Sequence, residues 1–600
     1  MIRSCSTVVL LTLCASTPLL WSAPDRASFA KEERPIEGVP VEAFELAGDD
    51  LQIEIWARSP LVYSPVAMDT DALGRLWVTE GIDYNQRSRV DAGQSVIVLE
   101  DKDADGKADS SHIFVTERDL RHAPLGIAVF DNKIVLSATP SIIVYTDVDR
   151  DARFDPEVDK REEFLTGFQN KRHDHTLHAV VGAPSGQWHF SFGNCGADIH
   201  TNDGRRIIAG CYYGFPEAIG MASSDGHLYV PGLSLRVNPD GSGLAVTGEN
   251  MRNPHDLRVT AYGDLFQSDN DDPAHCRISW VMEYGNMGYA DLRDGSRSWE
   301  EVAKTWEEPA GWSKDRRFSK SHWRENYPGA CPPGTIYGAG SPTGNEWIED
   351  ATLGLDSTYL VCCMVRKEVM ACQPELRGAG IEMGAHTPLI RLREGQRGQH
   401  FLPTDLVLGT DGSLFLSDFY NDTSRRTNQV SGTIYRITRK GGKHERPSVD
   451  FGTKAGQIAA LDSPAVNVRS HAASLLVAGG EDSLAPVLEN LSASEGEPVR
   501  VARRLWVLAQ LGEAGRRKVG EYLVGVDPNL QIAAYRALRL GDPTGVLARA
   551  ERLAGATSPA VRREVALSLR DAPYEHCKEL LLRLFAGYDG IDRYYLEALG

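Results

Sequence analysis

Through residues 51–440 the chain repeats one phrase. A short run with apolar residues at alternate positions meets a turn carrying Gly, Asp or Asn, and a second run rich in aromatic and β-branched residues follows. It occurs as VAMDTDALGRLWVTEG (66–81), LGIAVFDNKIVLSA (125–138), LHAVVGAPSGQWHFSFG (177–193), HDLRVTAYGDLFQSDN (255–270) and TDLVLGTDGSLFLSDF (404–419). A weaker copy, LGLDSTYLVCCMVRKEVMAC, lies at 353–372. A period of two with a turn between is a β-hairpin. Six such units along one chain predict a six-bladed β-propeller over 44–440. A row of separate β-sandwiches is the competing arrangement.

From about residue 461 the period changes. Gly thins out and Ala, Leu and Arg take over. Pro464, Pro498, Pro528 and Pro559 open apolar-periodic runs at a spacing near 31 residues. Pro in the first turn after Ser, Asp or Glu marks a helix start. Two helices per period predict a HEAT-like α-solenoid over 461–600, reached through a linker at 441–460. The last segment, DGIDRYYLEALG, opens a further unit and stops within a helix, which reads as a truncated array. The fold class is therefore mainly β, then all-α.

Six hundred residues exceed one ordinary core, in keeping with two domains. Apolar residues at 42% and charged residues at 24% suit a soluble globular chain. A net charge of −19 with no dense Lys/Arg stripe argues against a nucleic-acid partner. Residues 1–30 pair Arg3 with an apolar run from about Val8 to Trp21, too short to span a bilayer comfortably. This reads as a signal peptide, and so as an exported protein, periplasmic or extracellular. There is no CxxC pair and no CxxCH, so no covalent haem is expected in this chain. In an oxidising compartment Cys195 could bridge to Cys211, and Cys372 to Cys362 or Cys363; buried thiols are the alternative.

Two stretches are rich in aspartate. EDKDADGKADS sets Asp101, Asp103, Asp105 and Asp109 around Gly106, and TDVDRDARFDPE sets Asp147, Asp149, Asp151 and Asp155 around Ala152. Alternating carboxylates beside a sharp turn suit an oxygen-ligated calcium ion. The twelfth position from Asp101 is His112, so this is no EF-hand. A solvated hairpin tip would look the same.

Histidines cluster in KRHDHTLHAVVGAPSGQWHFSFGNCG, residues 171–196. His175 precedes a channel strand, His178 falls on the opposite face by alternation, and His189 lies on the return strand. The spacing does not make a four-histidine metal site. Here a resemblance becomes specific. DH, the A-P-S-G turn and WHFSFG are similar to the DH…GPDG…YYTIG segment of soluble pyrroloquinoline quinone (PQQ)-dependent glucose/sorbosone dehydrogenases. RNPHDLRVTAYGDLFQSDNDDP…ISWVMEYGNMGY and SGTIYRIT resemble later parts of that family. The acidic loops, propeller and helical tail together resemble exported membrane-bound dehydrogenases of planctomycete-type bacteria.

The resemblance implies an oxidoreductase that binds PQQ and calcium at the propeller mouth and oxidises a sugar or sugar-derived hydroxyl. Electrons would pass to a c-type cytochrome or quinone partner. It implies His175 as the base, Arg252 and Asn253 as cofactor contacts, and the Asp271 segment as a source of oxygens for calcium. Where that family has further basic residues, this chain has Leu402 and Val365, with Arg366 and His400 close by. Arg252 could instead pair with Asp269 or Asp271. The alternative function is a non-catalytic carbohydrate- or protein-binding propeller; the aromatics at 306–327 could stack on sugar rings or on a partner, or form a packed insertion. Arg366 joining Arg252 near His175 would favour chemistry; a net acidic mouth would favour binding alone.

Overall fold

The computed structural model describes residues 38–600 apart from 83–92, 119, 121, 170–172, 212–213, 272–274, 290–328, 350, 422–429 and 443. The expected signal segment and the aromatic stretch at 306–327 lie outside the described residues. Six sheets stand around a channel, and each presents one strand to it: Pro65–Thr70, Gly126–Phe130, Leu177–Gly182, Pro254–Val259, Pro342–Ile348 and Pro403–Leu408. These strands are buried almost throughout, because neighbouring blades cover the two faces of every sheet. The core is correspondingly divided into apolar clusters between adjacent blades. The N-terminal strand Leu51–Arg58 pairs with Val430–Arg439 and closes blade six, so the two ends of the propeller sequence lock the ring.

Two details depart from the hairpin reading. In blade five the copy at 353–372 supplies the second and third strands, Thr358–Cys363 and Glu368–Cys372. The channel strand is PTGNEWI, whose Pro, Gly, Asn and Glu hide it from an apolar-alternation search. Its Glu346 is buried against Arg258 at 3.2 Å. The bridge from Cys372 to Cys362 or Cys363 is also excluded. Cys372 faces Tyr359, while Cys362 and Cys363 face Val369 and Glu368. An offset of three residues is about 10 Å along a strand, beyond the reach of a disulfide. Cys195 and Cys211 pack together as a buried pair.

Ten helices follow among the described residues: α1 Lys454–Ala460, α2 Val466–Ala478, α3 Glu481–Ala493, α4 Pro498–Gln510, α5 Gly512–Gly520, α6 Pro528–Gly541, α7 Val546–Leu553, α8 Pro559–Ser568, α9 Tyr574–Ala586 and α10 Arg593–Leu599. Helix α1 lies inside the stretch read as a linker, which leaves 441–453 as the connection. Pro498, Pro528 and Pro559 start α4, α6 and α8, and the Asp527 and Ser558 side chains cap the last two. No helix among the described residues is long and apolar enough to cross a membrane.

The channel strands begin at one end of the propeller, here the mouth, and finish at the other, the floor. The helical region packs on the floor. Arg503 of α4 meets Glu349 at 2.6 Å, Arg536 of α6 meets Asp264 at 2.8 Å, and Arg563 of α8 donates to the Ala379 carbonyl at 2.8 Å.

Asn467 of α2 enters the channel itself. Around the ring, an acid of one blade accepts from a strand amide of the next: Asp69 from Val129 (2.6 Å), Asp256 from Asn345 (2.8 Å), Glu346 from Leu408 (3.2 Å) and Asp405 from Met68 (2.6 Å). Blade two, GIAVF, has no acid to offer blade three. Asn467 fills that place: its Oδ1 accepts from Gly182 N at 2.7 Å and its Nδ2 donates to Asp69 at 2.7 Å. Asn467→Ala leaves a buried amide unsatisfied and is expected to cost about 1–3 kcal/mol. Urea unfolding of the full chain measures it, and a loss under about 0.5 kcal/mol would mean that water replaces both bonds.

Candidate functional site

At the mouth of blade three a 3-10 turn, His173–His175, delivers the chain into its channel strand. His175 is buried, and its Nδ1 lies 2.8 Å from Asn194 Oδ1. An amide oxygen can only accept, so Nδ1 carries a proton, and in the neutral ring Nε2 carries the lone pair. The Asn194 amide donates to the Arg252 carbonyl at 2.9 Å, which ties blade three to blade four. Arg252 N and Asn253 N both donate to the Asp269 carboxylate, at 3.1 and 2.7 Å. Burial pushes the Asp269 carboxyl up to about 7, against these two amides and the Arg277 and Arg252 charges. The Arg252 guanidinium donates to the Asn270 carbonyl at 2.9 Å and to its side-chain oxygen, and stands 3.9 Å from Asp271. Burial raises the Tyr289 phenol to about 12, with Arg252 opposing.

The structure therefore brings His175, Arg252, Asn253 and Asp271 into one connected group. His178 lies deeper. Its Nε2 is 2.8 Å from Asn253 Oδ1, and its ring packs on His255 at 4.6 Å. Burial takes His178 down to about 4 and His189 to about 3. His189 stands on the return strand opposite Arg236. Asn194, His255, Asp269 and Tyr289 complete the site; of these only Asp269 was legible as a partner, of Arg252. The other three meet it from another blade or from beyond a turn, where spacing along the chain carries no signal.

Arg366 is engaged elsewhere. It pairs with Glu368 at 2.7 Å, donates to the Tyr337 carbonyl at 3.2 Å and lies over the Tyr337 ring. Val365 is exposed, and Leu402 offers its amide to Asp418. Among the described residues, the mouth around His175 thus combines the guanidinium of Arg252, and that of Arg277 beside Asp269, with the carboxyl groups of Asp269 and Asp271. This donor set does not fit PQQ: Arg252 is already bonded to Asn270, Arg277 lies against Asp269 and the His275 carbonyl, and the Asp271 carboxylate would repel those of the quinone.

The acidic loops lie away from the mouth, in the outer hairpins of blades one and two on the floor side. Carboxylate oxygens of Asp101, Asp103 and Asp109 gather within 4.8 Å of one another, as do those of Asp147, Asp149 and Asp151. Asp105 and Asp155 are outside these groups. Each turns its carboxylate back on its own loop, Asp105 to Lys107 N at 2.8 Å and Asp155 to Glu157 N at 2.9 Å.

Fold and site together define a channelled six-bladed β-propeller capped on its floor by paired helices. The chain belongs to the family described as "Domain of unknown function (DUF7133)", whose profile matches residues 41–458. No curated protein matches it. Similar solved structures include the PQQ domain of pyranose dehydrogenase from Coprinopsis cinerea (13% identity, 66% of this chain, 97% of that one, TM-score 0.42). Another is PQQ-bound aldose sugar dehydrogenase from Streptomyces coelicolor (13% identity, 65% of this chain, 99% of that one, TM-score 0.42). A third is the calcium structure of a family AA12 carbohydrate-active enzyme from Trichoderma reesei (12% identity, 68% of this chain, 99% of that one, TM-score 0.42).

Proposed function

We propose that the protein is an exported oxidoreductase acting on a hydroxyl of a sugar or related compound, with His175 as the proton acceptor. The observation that carries this reading is the His175–Asn194 bond at 2.8 Å, which fixes the basic nitrogen of a buried imidazole beside Arg252. Asn194 orients the ring, and its oxygen stays bonded when the ring is protonated. Arg252 orients a substrate oxygen. His175 takes the hydroxyl proton and the two electrons leave with the hydride to an external acceptor of the quinone class, as the family resemblance supports; the donor set at the mouth does not itself hold PQQ. A cytochrome or quinone partner and HEAT-like repeats belong to the same reading. The repeats' inner helices are occupied by the propeller, so a partner would meet their outer side.

A second reading, a carbohydrate-binding propeller without turnover, is favoured by the engagement of Arg366 with Glu368. One experiment separates the two. The full chain is titrated with PQQ and calcium, followed by quinone absorbance, and then assayed for aldose-dependent dye reduction. Turnover that falls roughly 10²–10⁴-fold in His175→Ala while aldose binding persists supports the oxidoreductase. Aldose binding with no turnover under any acceptor sinks it and leaves the binding reading.

A further inference from the structure

We infer that the two acidic hairpins are paired sites for a hard divalent cation of calcium's type, and that Asp159, not Asp155, completes the second. The mouth chemistry does not use these residues, and the inference stands apart from it. The hairpins join the third and fourth strands of consecutive blades, Gln94–Glu100 to Ser110–Glu117 and Ser141–Thr146 to Lys160–Phe168. They fold alike. Gly106 N donates to Asp101 Oδ2 at 3.1 Å, and Ala152 N to Asp147 Oδ2 at 3.0 Å. Both turning residues have positive φ, +89° at Gly106 and +60° at Ala152. Lys102 N donates to Asp109 at 2.6 Å; the matching amide, Val148 N, donates to Asp159 at 2.7 Å. Asp159 lies outside the gathered group of Asp147, Asp149 and Asp151, as Asp155 does, but it also accepts from Asp155 N at 2.8 Å, so at this end of the loop Asp155 supplies an amide and Asp159 a carboxylate.

An independent observation points to a ligand in each loop. Asp101 is 8% exposed and Asp147 3%, yet among the described residues the Oδ1 atom of each has no hydrogen-bond partner. Both residues belong to the gathered carboxylates. A buried carboxylate oxygen facing two like charges, with no donor, is relieved by a proton or by a cation between them, and only a cation engages all the gathered carboxylates at once. The donors are all oxygen, and the nearby imidazole is otherwise engaged: His112 Nε2 is 3.1 Å from the Ala152 carbonyl. Oxygen-only, carboxylate-rich donors on turns suit calcium better than magnesium or a transition metal.

The positions also say what such ions would hold. The His112 contact and a Phe154 N–Phe114 O bond of 2.9 Å lay the second loop on the strand that leaves the first. Arg446 of the connecting segment donates to the Asp101 carbonyl at 3.1 Å. Arg150, inside the second loop, pairs with Asp131, which is 3.8 Å from His471 of α2. Filled sites would fasten blade one to blade two and both to the helical region.

The test uses the full chain, stripped with a chelator and titrated calorimetrically with calcium chloride, with magnesium chloride in parallel. Two sites with dissociation constants below about 1 mM are expected for calcium, with magnesium at least about tenfold weaker. Asp101→Asn and Asp147→Asn should each remove one site. Asp159→Asn should weaken one site at least about tenfold, and Asp155→Asn should change it less than about twofold. If Asp147→Asn fails to fold, the exposed Asp149→Asn carries the same expectation. No binding up to millimolar calcium, equal magnesium binding, two sites retained in both Asp101→Asn and Asp147→Asn, or a loss with Asp155→Asn in place of Asp159→Asn would overturn the inference.

Discussion

Glu564→Ala is expected to destabilise the protein by about 3–5 kcal/mol, a large effect for one side chain. Glu564 lies on α8 with no solvent exposure. It accepts from both Arg536 nitrogens at 2.9 and 2.7 Å, contacts Arg563 at 2.9 Å and stands 4.0 Å from Arg539. Burial alone would raise its carboxyl, but Arg536 and Arg563 hold it below the ordinary range. The three guanidiniums reach the propeller: Arg536 at Asp264, Arg539 at Glu283, and Arg563 at the Ala379 carbonyl and over the Trp280 ring. Alanine leaves them buried with too little negative charge. Glu564→Gln keeps the shape and removes the charge, so an intermediate loss is expected. Urea unfolding of the full chain gives both numbers. A loss below about 1 kcal/mol for the alanine variant would mean that water enters and solvates the cluster.

The same junction shows what was hard to see in the chain. Nothing in the spacing of these arginine-rich helices announces buried acids 154 to 272 residues away. Arg503, Arg536 and Arg563 are the contacts that hold the helices on the floor. Helix starts were legible, because Pro498, Pro528 and Pro559 act through local backbone geometry. Hairpins were legible where both strands are apolar. The channel strand of blade five was not, since its Glu346 is paid for by Arg258 from blade four. The site divides the same way. His175 stands out beside its own strand, whereas its partner Asn194 comes from beyond the return strand. Arg366 looked available until Glu368, two residues on across a tight turn, took it. In the second acidic loop Asp155 sits where a copy of the first loop would put its last carboxylate, but the amide that matches Lys102 N donates to Asp159. The turn there runs four residues longer, to Asp159.

Stability is expected to fall as pH rises from about 5 to about 7. Burial pushes the carboxyls of Asp69, Asp269, Asp418 and Glu249 up to about 7. Their donors, Asn467 and the Val129 amide for Asp69 and the Leu402 amide for Asp418, only moderate this. Between the ordinary carboxyl range and pH 7 the folded chain keeps protons that the unfolded chain has released, so raising the pH favours unfolding. Two buried histidines act in the opposite sense. His178 and His189 stay neutral in the folded chain down to about 4 and 3, while unfolded histidine takes up a proton near 6.5. Asp256 and Asp405, raised by burial, add to the protons held, and His112, His386 and His471, lowered by burial, subtract from them; the first six groups alone give a net uptake of about two protons on folding near pH 5.5. This corresponds to a loss of about 3 kcal/mol per pH unit. Above about 7 the dependence should flatten. Urea unfolding at pH 5, 6, 7 and 8, at fixed calcium and ionic strength, measures the slope. A stability that rises toward pH 7 would show that these carboxyls are ionised in the folded chain. That outcome would require a counter-charge at the mouth, where Asp269 lies beside Arg252, strong enough to offset burial.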